Sequence, residues 1–228
     1  MSGEDHPTDF HGQRRHSVPE ESYTVDDPQR RAEIEAENGL RQFDLGMRMV
    51  ESALARNEPF KLRPSAIGAL HREALQGLTS YAGLWRPSGV RIEGSRHEPV
   101  GAHQVPEMIE ELCDYVNEHR ESKSPIHLAS YVMWRLNWIH PFTDGNGRTS
   151  RIVSYVVLCI ALRSVLRGKN TIPEQIVDNR GPYFGALEAA DTAWKGGNID
   201  LSEMEGLLES MLAVQLKSMI EEATNKTY

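Results

Sequence analysis

The apolar residues of this chain recur mostly at helical spacing. The first series has intervals of three to four residues and comprises Leu40, Phe43, Met47, Val50 and Leu54. Asp27 is suited to capping the start of this helix, and Pro28 suits its first turn. The pattern therefore predicts a long N-terminal helix that starts after Asp27 and buries this apolar face.

The rest of the chain predicts a bundle of further helices. Helical spacing continues over 63–78, 106–119, 126–142, 148–166, 179–195 and 201–223. Residues 148–166 are apolar nearly all round, which is typical of a helix in the centre of a bundle. The fold class is therefore predicted to be mostly α.

One segment has the alternation of a strand instead. Val90 and Ile92 are separated by a charged residue, and Gly94-Ser95 is suited to a tight turn. Pro99 lacks a backbone N–H group, so it restricts the second strand to an edge. A small β-hairpin is therefore predicted over 90–100.

Composition narrows the function classes. The 228 residues carry 33 acidic and 25 basic side chains, a net charge of −8. A general nucleic-acid binder needs a basic surface that displaces counterions, so this class is disfavoured. Binding of a small anion remains compatible with this net charge, because a local pocket can be positive on an acidic protein.

The polar N-terminal residues and the lengths of the apolar runs indicate the cellular compartment of the protein. Residues 1–26 are polar and predict a flexible tail without a signal-peptide core. The longest apolar run, Ile152–Leu162, is too short to span a bilayer. Cys113 and Cys159 lie in apolar stretches and predict buried thiols in a reducing compartment. We expect a cytoplasmic protein with no membrane partner, and the sequence leaves a homo-oligomer open.

Candidate chemistry is concentrated in the stretch HPFTDGNGRTSR, His140–Arg151. Its glycines allow backbone N–H groups to converge on one point, and the helix that follows adds free N–H groups for an anion. Arg148 and Arg151 lie on one side of that helix and have forked donors for phosphate. Asp144 is a hard oxygen ligand of the kind that Mg²⁺ takes, and His140 is a base near neutral pH.

Each of these residues also has an ordinary structural interpretation. A single histidine often caps a helix, and Asp-Gly and Asn-Gly are common turn dipeptides. Their joint occurrence in twelve residues favours a functional loop of the phosphoryl-transfer type. A P-loop is excluded because no Walker lysine is present. The acidic charge and the wholly apolar second helix disfavour a helix-turn-helix DNA reader.

The stretch resembles the signature of the Fic (Fido) family, His-Pro-Phe-x-Asp/Glu-Gly-Asn-Gly-Arg-x-x-Arg, which is complete here. The resemblance extends from about Arg63 to about Ala213. It implies a Fic-type helical bundle with a small β-hairpin flap, with a tail at 1–26, an N-terminal helix at 27–62 and a Fic domain at 63–228. Most members are protein adenylyltransferases (AMPylases), which transfer AMP from ATP to a protein hydroxyl group.

The resemblance also implies a role for each signature residue. His140 is expected to deprotonate the target hydroxyl, and Asp144 to hold Mg²⁺ against the phosphates. Phe142 is expected to act as an apolar peg that fixes the loop. The phosphates are expected to contact Gly145, Asn146, Gly147, Arg148 and Arg151. Relatives that phosphorylate their target carry a lysine variant of the motif, which is absent from this sequence.

Two further sites follow from the resemblance. An extended segment of the protein target is expected to pair with the flap near Val90–Val100, and Tyr183 or Phe184 is expected to face the adenine. Without the resemblance, a structural hairpin and a core aromatic are the simpler interpretations of these residues.

Many members carry an inhibitory glutamate that pairs with the second signature arginine. Glu37 on the N-terminal helix is followed by Asn38, as in that motif, although Glu33 stands where a hydroxyl residue belongs. Glu205 also stands in a sequence close to that motif, but it lies in a stretch that resembles the ordinary core of the family's domain. Glu37 is therefore the predicted brake on Arg151, with a solvated surface glutamate as the alternative.

Two function classes remain at this stage. The first is an Mg²⁺-dependent AMPylase, with a different nucleotide or reversal of AMPylation as variants. The second is a nucleotide-binding regulatory or interaction module with little turnover. The intact His140 favours the enzyme, because a pure binding module does not need a base.

Overall fold

The structure is a computed structural model that describes residues 17–18, 24–56 and 59–225. Within these ranges the regular secondary structure is almost entirely helical, which confirms the predicted mostly α class. The helices are α1 (Pro28–Leu54), α2 (Pro64–Leu75), α3 (Val105–His119), α4 (Pro125–Ile139), α5 (Asn146–Ala161), α6 (Ile172–Asp178), α7 (Arg180–Lys195) and α8 (Ser202–Asn225). A short 3₁₀ turn, Ala102–Gln104, precedes α3.

The centre of the bundle is the pair of helices that flank the signature stretch. Every residue of α5 from Ile152 to Cys159 is buried, as the sequence predicts. α4 packs along α5, and the hydroxyl of Ser154 donates to the carbonyl oxygen of Ala129 at 2.8 Å. Because both helices are fixed by the core, the loop between them is held at its two ends.

The predicted apolar face of α1 is confirmed from Phe43 onward, since Met47 and Val50 are buried and Phe43 and Leu54 pack against the core, but it differs at its start. Leu40 is 72% exposed, whereas Asn38 and Gln42 are buried. The Asn38 amide donates to the carbonyl oxygens of Ala74 and Gln76 at 3.2 and 2.9 Å, and the Gln42 amide donates to that of Leu70 at 3.1 Å. Two buried amides therefore satisfy carbonyl groups of α2 and its end, a role that apolar periodicity does not reveal.

The flap also differs from a simple hairpin. The described strands are β1 (Ser17–Val18) and β2 (Arg91–Ile92), and they pair with each other in antiparallel register. The chain turns after β2 at Gly94, where φ is 72°, but the segment through Pro99 forms no ladder within the described residues. The partner strand therefore comes from the N-terminal segment.

Several sequence predictions concern the chain ends. Most of the predicted tail, 1–16 and 19–23, lies outside the described residues. Asp27 caps α1 as predicted, since its carboxylate accepts from the N–H of Gln29 at 3.0 Å. Cys113 and Cys159 are buried and free. No helix of the described ranges is both long and apolar enough to span a membrane.

Candidate functional site

A cavity of about 530 Å³ lies against the signature loop. Its walls come from the start of α1, the flap, the end of α4, the start of α5 and α7, and its size suits a small-molecule ligand. The sequence-predicted site residues that line it are His140, Asp144, Gly145, Asn146, Gly147, Arg148, Arg151 and Tyr183. Glu37 is not among the lining residues.

His140 ends α4 in a left-handed backbone conformation, with φ 53°. Its ring Nδ1–H donates to the carbonyl oxygen of Asn137 at 3.2 Å, so Nε2 retains its lone pair. Burial lowers the pKa of His140 to about 4, and the nearby His97 and Arg86 act in the same direction, against Asn137 and Asp144. The imidazole is therefore neutral at neutral pH, with its lone pair on Nε2.

The signature loop is closed by the side chain of Asn146. Its Oδ1 accepts from the N–H of Phe142, and its Nδ2 donates to the carbonyl oxygen of Phe142, both at 2.9 Å. Gly145 has φ 72°, and a Cβ atom there would lie 2.4 Å from Cδ2 of Leu75. Glycine is required at this position by both the backbone conformation and the lack of space.

The first turn of α5 is open to an anion. Among the described residues, no side chain caps this turn, and Gly145, Asn146 and Gly147 all line the cavity. The N–H groups at the start of a helix have no intrahelical partner, and the helix dipole adds positive potential there. The loop and the helix start therefore form an anion-binding surface.

His71 packs against the signature loop, a role that was not predicted from the sequence. Its ring stacks on Phe142 with centroids 3.6 Å apart, and Nε2–H donates to the carbonyl oxygen of Asp144 at 3.0 Å. Nδ1 accepts from the N–H of Gly83 at 2.8 Å. Burial lowers the pKa of His71 to about 4. The one available sequence signal was a histidine on the apolar face of α2, which is weak.

Arginines dominate the charge of the cavity. The guanidinium groups on its lining belong to Arg31, Arg148, Arg151 and Arg180. Burial lowers the pKa of Arg151, Tyr183 opposes this, and Arg180 and Arg148 lower it further. Within the described residues, Arg151 has no carboxylate partner. A cation in such a position is stabilised by an anionic ligand.

Arg148 has two carboxylate partners. Its guanidinium lies 3.2 Å from Asp144 in the same loop and 3.7 Å from Glu35 of α1. Glu37 is exposed, so the structure does not bring Glu37 and Arg151 together. The reason is the face of α1 that is buried: Glu35 precedes Asn38 by one helical turn, whereas Glu37 lies on the side of exposed Leu40.

Tyr183 is held rigidly at the cavity wall. Its side chain is buried, and its hydroxyl accepts from Nδ2 of Asn137 at 2.8 Å. Phe184 lies beside it with ring centroids 5.6 Å apart, and both rings line the cavity. The two aromatic side chains give this wall a flat apolar part next to the arginines.

Comparisons with known proteins agree with this arrangement. The sequence model of the Fic/DOC family matches residues 61–158. A protein named protein adenylyltransferase Fic from Drosophila persimilis is 30% identical over 160 residues, which are 69% of this chain and 29% of that protein. This chain therefore spans about three tenths of the length of the curated relatives it matches.

Solved structures share the fold. The structure of Fic-1 (aa134–508) from Caenorhabditis elegans has a TM-score of 0.66 at 22% identity, covering 89% of this chain and 55% of that chain. A Bartonella tribocorum effector protein with bound AMPPNP has a TM-score of 0.56 at 15% identity, covering 83% of this chain and 90% of that chain. At these identities the likeness concerns the fold alone.

Proposed function

We propose, on the premise that this chain carries a Fic/DOC domain, that it transfers AMP from ATP to a hydroxyl group of a protein. The observation that carries the proposal is the neutral, buried His140 at the edge of an arginine-lined cavity. The same geometry supplies a base and an anion site in one loop, as transfer of a nucleotidyl group requires. The name of the Drosophila persimilis relative supports adenylyl transfer in particular.

ATP is the proposed substrate. Arg151 and Arg148 hold the β- and γ-phosphates, while the amides of Gly145 and Gly147 contact the α-phosphate. Tyr183 and Phe184 offer the flat apolar surface that a nucleobase needs. The AMPPNP bound to the Bartonella tribocorum protein supports a nucleoside triphosphate in this fold.

The reaction then follows from the state of His140. Its Nε2 removes the proton from the target hydroxyl, and the hydroxyl oxygen forms a bond to the α-phosphorus. The bond from that phosphorus to the oxygen bridging the β-phosphate breaks, so pyrophosphate leaves and AMP stays on the target as a phosphodiester. Asn137 orients the imidazole through Nδ1.

Mg²⁺ is the proposed metal, and Asp144 is its proposed protein ligand. The described residues contain no group of three or more His, Cys, Asp or Glu that would hold a metal alone. A single carboxylate beside a phosphate site fits Mg²⁺, which often binds through one carboxylate, phosphate oxygens and water. When bound, the ion would neutralise part of the phosphate charge. Because Asp144 pairs with Arg148 at 3.2 Å, binding of the ion would loosen that ion pair.

The protein target is proposed to dock on the flap as an extended segment. The edge of β2 accepts an antiparallel strand, since Ser17–Val18 of the chain itself pairs there. Ile92 and His97 connect the flap to the cavity, because both line it. A target strand on this edge would bring a hydroxyl side chain towards His140.

A nucleotide-binding module with little turnover is the second candidate. The observation behind it is the ion pair of Glu35 with Arg148, which engages a cation that the phosphates need for transfer and so restrains turnover. We assign control by α1 to Glu35, since Glu37 is exposed and does not line the cavity.

Incubation with α-labelled ATP and Mg²⁺ separates the two candidates. Wild-type protein should label itself or an added protein, and His140→Ala should abolish label transfer while binding ATP with little change in calorimetry. Binding of ATP without any transfer by the wild type would favour the second candidate. Equal loss of binding and transfer in His140→Ala would contradict its role as a base.

A further inference from the structure

Arg86 is a buried arginine that the proposed reaction does not use. It lies between α2 and β2 and is 3% exposed. Its Nε donates to the carbonyl oxygen of His140 at 2.7 Å, and one terminal nitrogen donates to that of Ser88 at 2.8 Å. The other terminal nitrogen donates to the carbonyl oxygen of Val100. One guanidinium therefore joins three separate parts of the backbone.

The main chain of Arg86 strengthens the same junction. Its N–H donates to the carbonyl oxygen of Pro141 at 2.9 Å. In addition, a terminal nitrogen of its guanidinium donates to the carbonyl oxygen of Ile139 at 3.5 Å. The last carbonyl groups of a helix lack intrahelical partners, and a cation near them is favoured by the helix dipole. Arg86 therefore caps the C-terminal end of α4 at the residue that carries the imidazole.

The charge of Arg86 is balanced by dipoles rather than by a carboxylate. Among the described residues it has no ion pair, and burial lowers its pKa. A buried guanidinium without a carboxylate is costly unless its donors are satisfied. Here each of its nitrogens has a backbone carbonyl, so the geometry is specific for the planar fork of arginine.

We propose that Arg86 is a positioning residue that fixes His140 relative to the base of the flap. Ser88 and Val100 flank the flap, and His140 holds the left-handed conformation that its neighbours must enforce. The guanidinium sets the distance between the strand-docking edge and the base. This inference rests on the proposed function, because it concerns the geometry of that same transfer.

The test compares Arg86→Lys and Arg86→Gln with wild-type protein. Lysine keeps the charge but cannot reach three diverging carbonyl groups, and glutamine keeps two donors without charge. Displacement of a base by about 1 Å can cost about 100-fold in rate. We expect the kcat for transfer from α-labelled ATP to fall by about 100-fold in both variants. ATP affinity from calorimetry should stay within about threefold, because Arg86 does not line the cavity.

Arg120→Ala is the matched control. Arg120 also donates to a carbonyl group in the last turn of a helix, that of Asn117 at 3.1 Å, but it lies on the surface at the end of α3. The Arg120→Ala variant should transfer label at the wild-type rate.

Three results would overturn the proposal. Wild-type kcat in folded Arg86→Lys would show that the fork is not needed, and a parallel loss of ATP binding and kcat would show a general structural role. If neither variant folds, as judged by circular dichroism, Arg86 serves stability and not positioning. Absence of transfer by the wild type would instead contradict the proposed function.

Discussion

A carboxylate oxygen of Glu35 lies 3.7 Å from a guanidinium nitrogen of Arg148, which links α1 to the signature loop. Arg148 also lies 3.2 Å from Asp144, so one cation is shared by two carboxylates. The Glu35 side chain is 40% exposed, and pairs of this kind contribute about 0–1 kcal/mol. An anion that enters the cavity must compete with Glu35 for Arg148, but this competition is modest.

Glu35→Gln should therefore raise ATP affinity and label transfer by about two- to fivefold, the range that this energy allows. The change removes the charge that competes with phosphate and leaves the length of the side chain almost unchanged. Calorimetry with ATP and transfer of α-label measure the two effects.

Glu37→Gln is the control, because Glu37 lies on the exposed side of the same helix. It should match the wild type in both measurements. A rise in Glu37→Gln without a rise in Glu35→Gln would mean that α1 regulates the site through the other carboxylate, as the family motif implies.

Two glycines of the signature loop should respond differently to alanine. Gly145→Ala should lower stability by at least about 1–2 kcal/mol, because alanine is disfavoured at φ 72° and its Cβ would meet buried Leu75 at 2.4 Å. Gly147→Ala should keep its stability, since its Cβ would meet only the guanidinium of Arg151 at 3.2 Å. Chemical denaturation measures the first effect.

The effect of Gly147→Ala should appear in ATP binding instead. In Gly147→Ala, displacement of Arg151 should weaken ATP binding while the melting temperature stays near that of the wild type. If the melting temperature of Gly147→Ala falls as far as that of Gly145→Ala, the distinction between a loop glycine and a cavity glycine is wrong.

The sequence predicts best what is contiguous. The signature stretch from His140 to Arg151 is short, and its polar residues and glycines line one cavity because two buried helices hold the ends of the stretch. The central position of α5 also follows directly from its apolar composition.

Contacts to backbone carbonyl groups could not be predicted, because they have no sequence period. Asn38 and Gln42 occupy the buried side of the first half of α1, where Leu40 was predicted, and Glu35 rather than Glu37 lines the cavity. Arg86 likewise binds carbonyl groups that are distant in sequence. Polar side chains with such partners look like surface residues in a sequence.

The pairing of the flap with the N-terminal segment leads to a prediction about access. Ser17→Pro combined with Val18→Pro removes both N–H groups of β1 and should release β2. Because adjacent N–H groups of a strand point to opposite edges, the amide of Arg91 or Ile92 that faces β1 should then exchange with deuterium faster than in the wild type. A labelled peptide with the sequence of residues 14–21 should bind the variant more tightly, because the tethered strand no longer competes at high effective concentration.

Replacement of Ser17 and Val18 by alanine is the control, since alanine keeps both N–H groups. It should leave exchange and peptide binding as in the wild type. Identical exchange in the proline and alanine variants would show that the ladder does not protect this edge in solution.

The two buried histidines should make the fold sensitive to acid. Burial holds the pKa of both His71 and His140 at about 4, whereas an unfolded histidine titrates near 6.5. Between these values the unfolded chain binds more protons than the folded one, so the free energy of unfolding decreases as pH falls. At pH 5 the loss relative to pH 7 should be about 2 kcal/mol for each histidine.

Urea denaturation at pH 7 and pH 5 measures this dependence, and His140→Asn isolates half of it. Asparagine tolerates the left-handed conformation of residue 140 and does not titrate, so the variant should lose about 2 kcal/mol less than the wild type on acidification. His103→Ala, which removes an exposed imidazole, should keep the wild-type dependence. If His140→Asn loses as much stability as the wild type between pH 7 and pH 5, His140 is protonated in the folded protein at pH 5. Burial would then not lower the pKa of His140 in the folded protein.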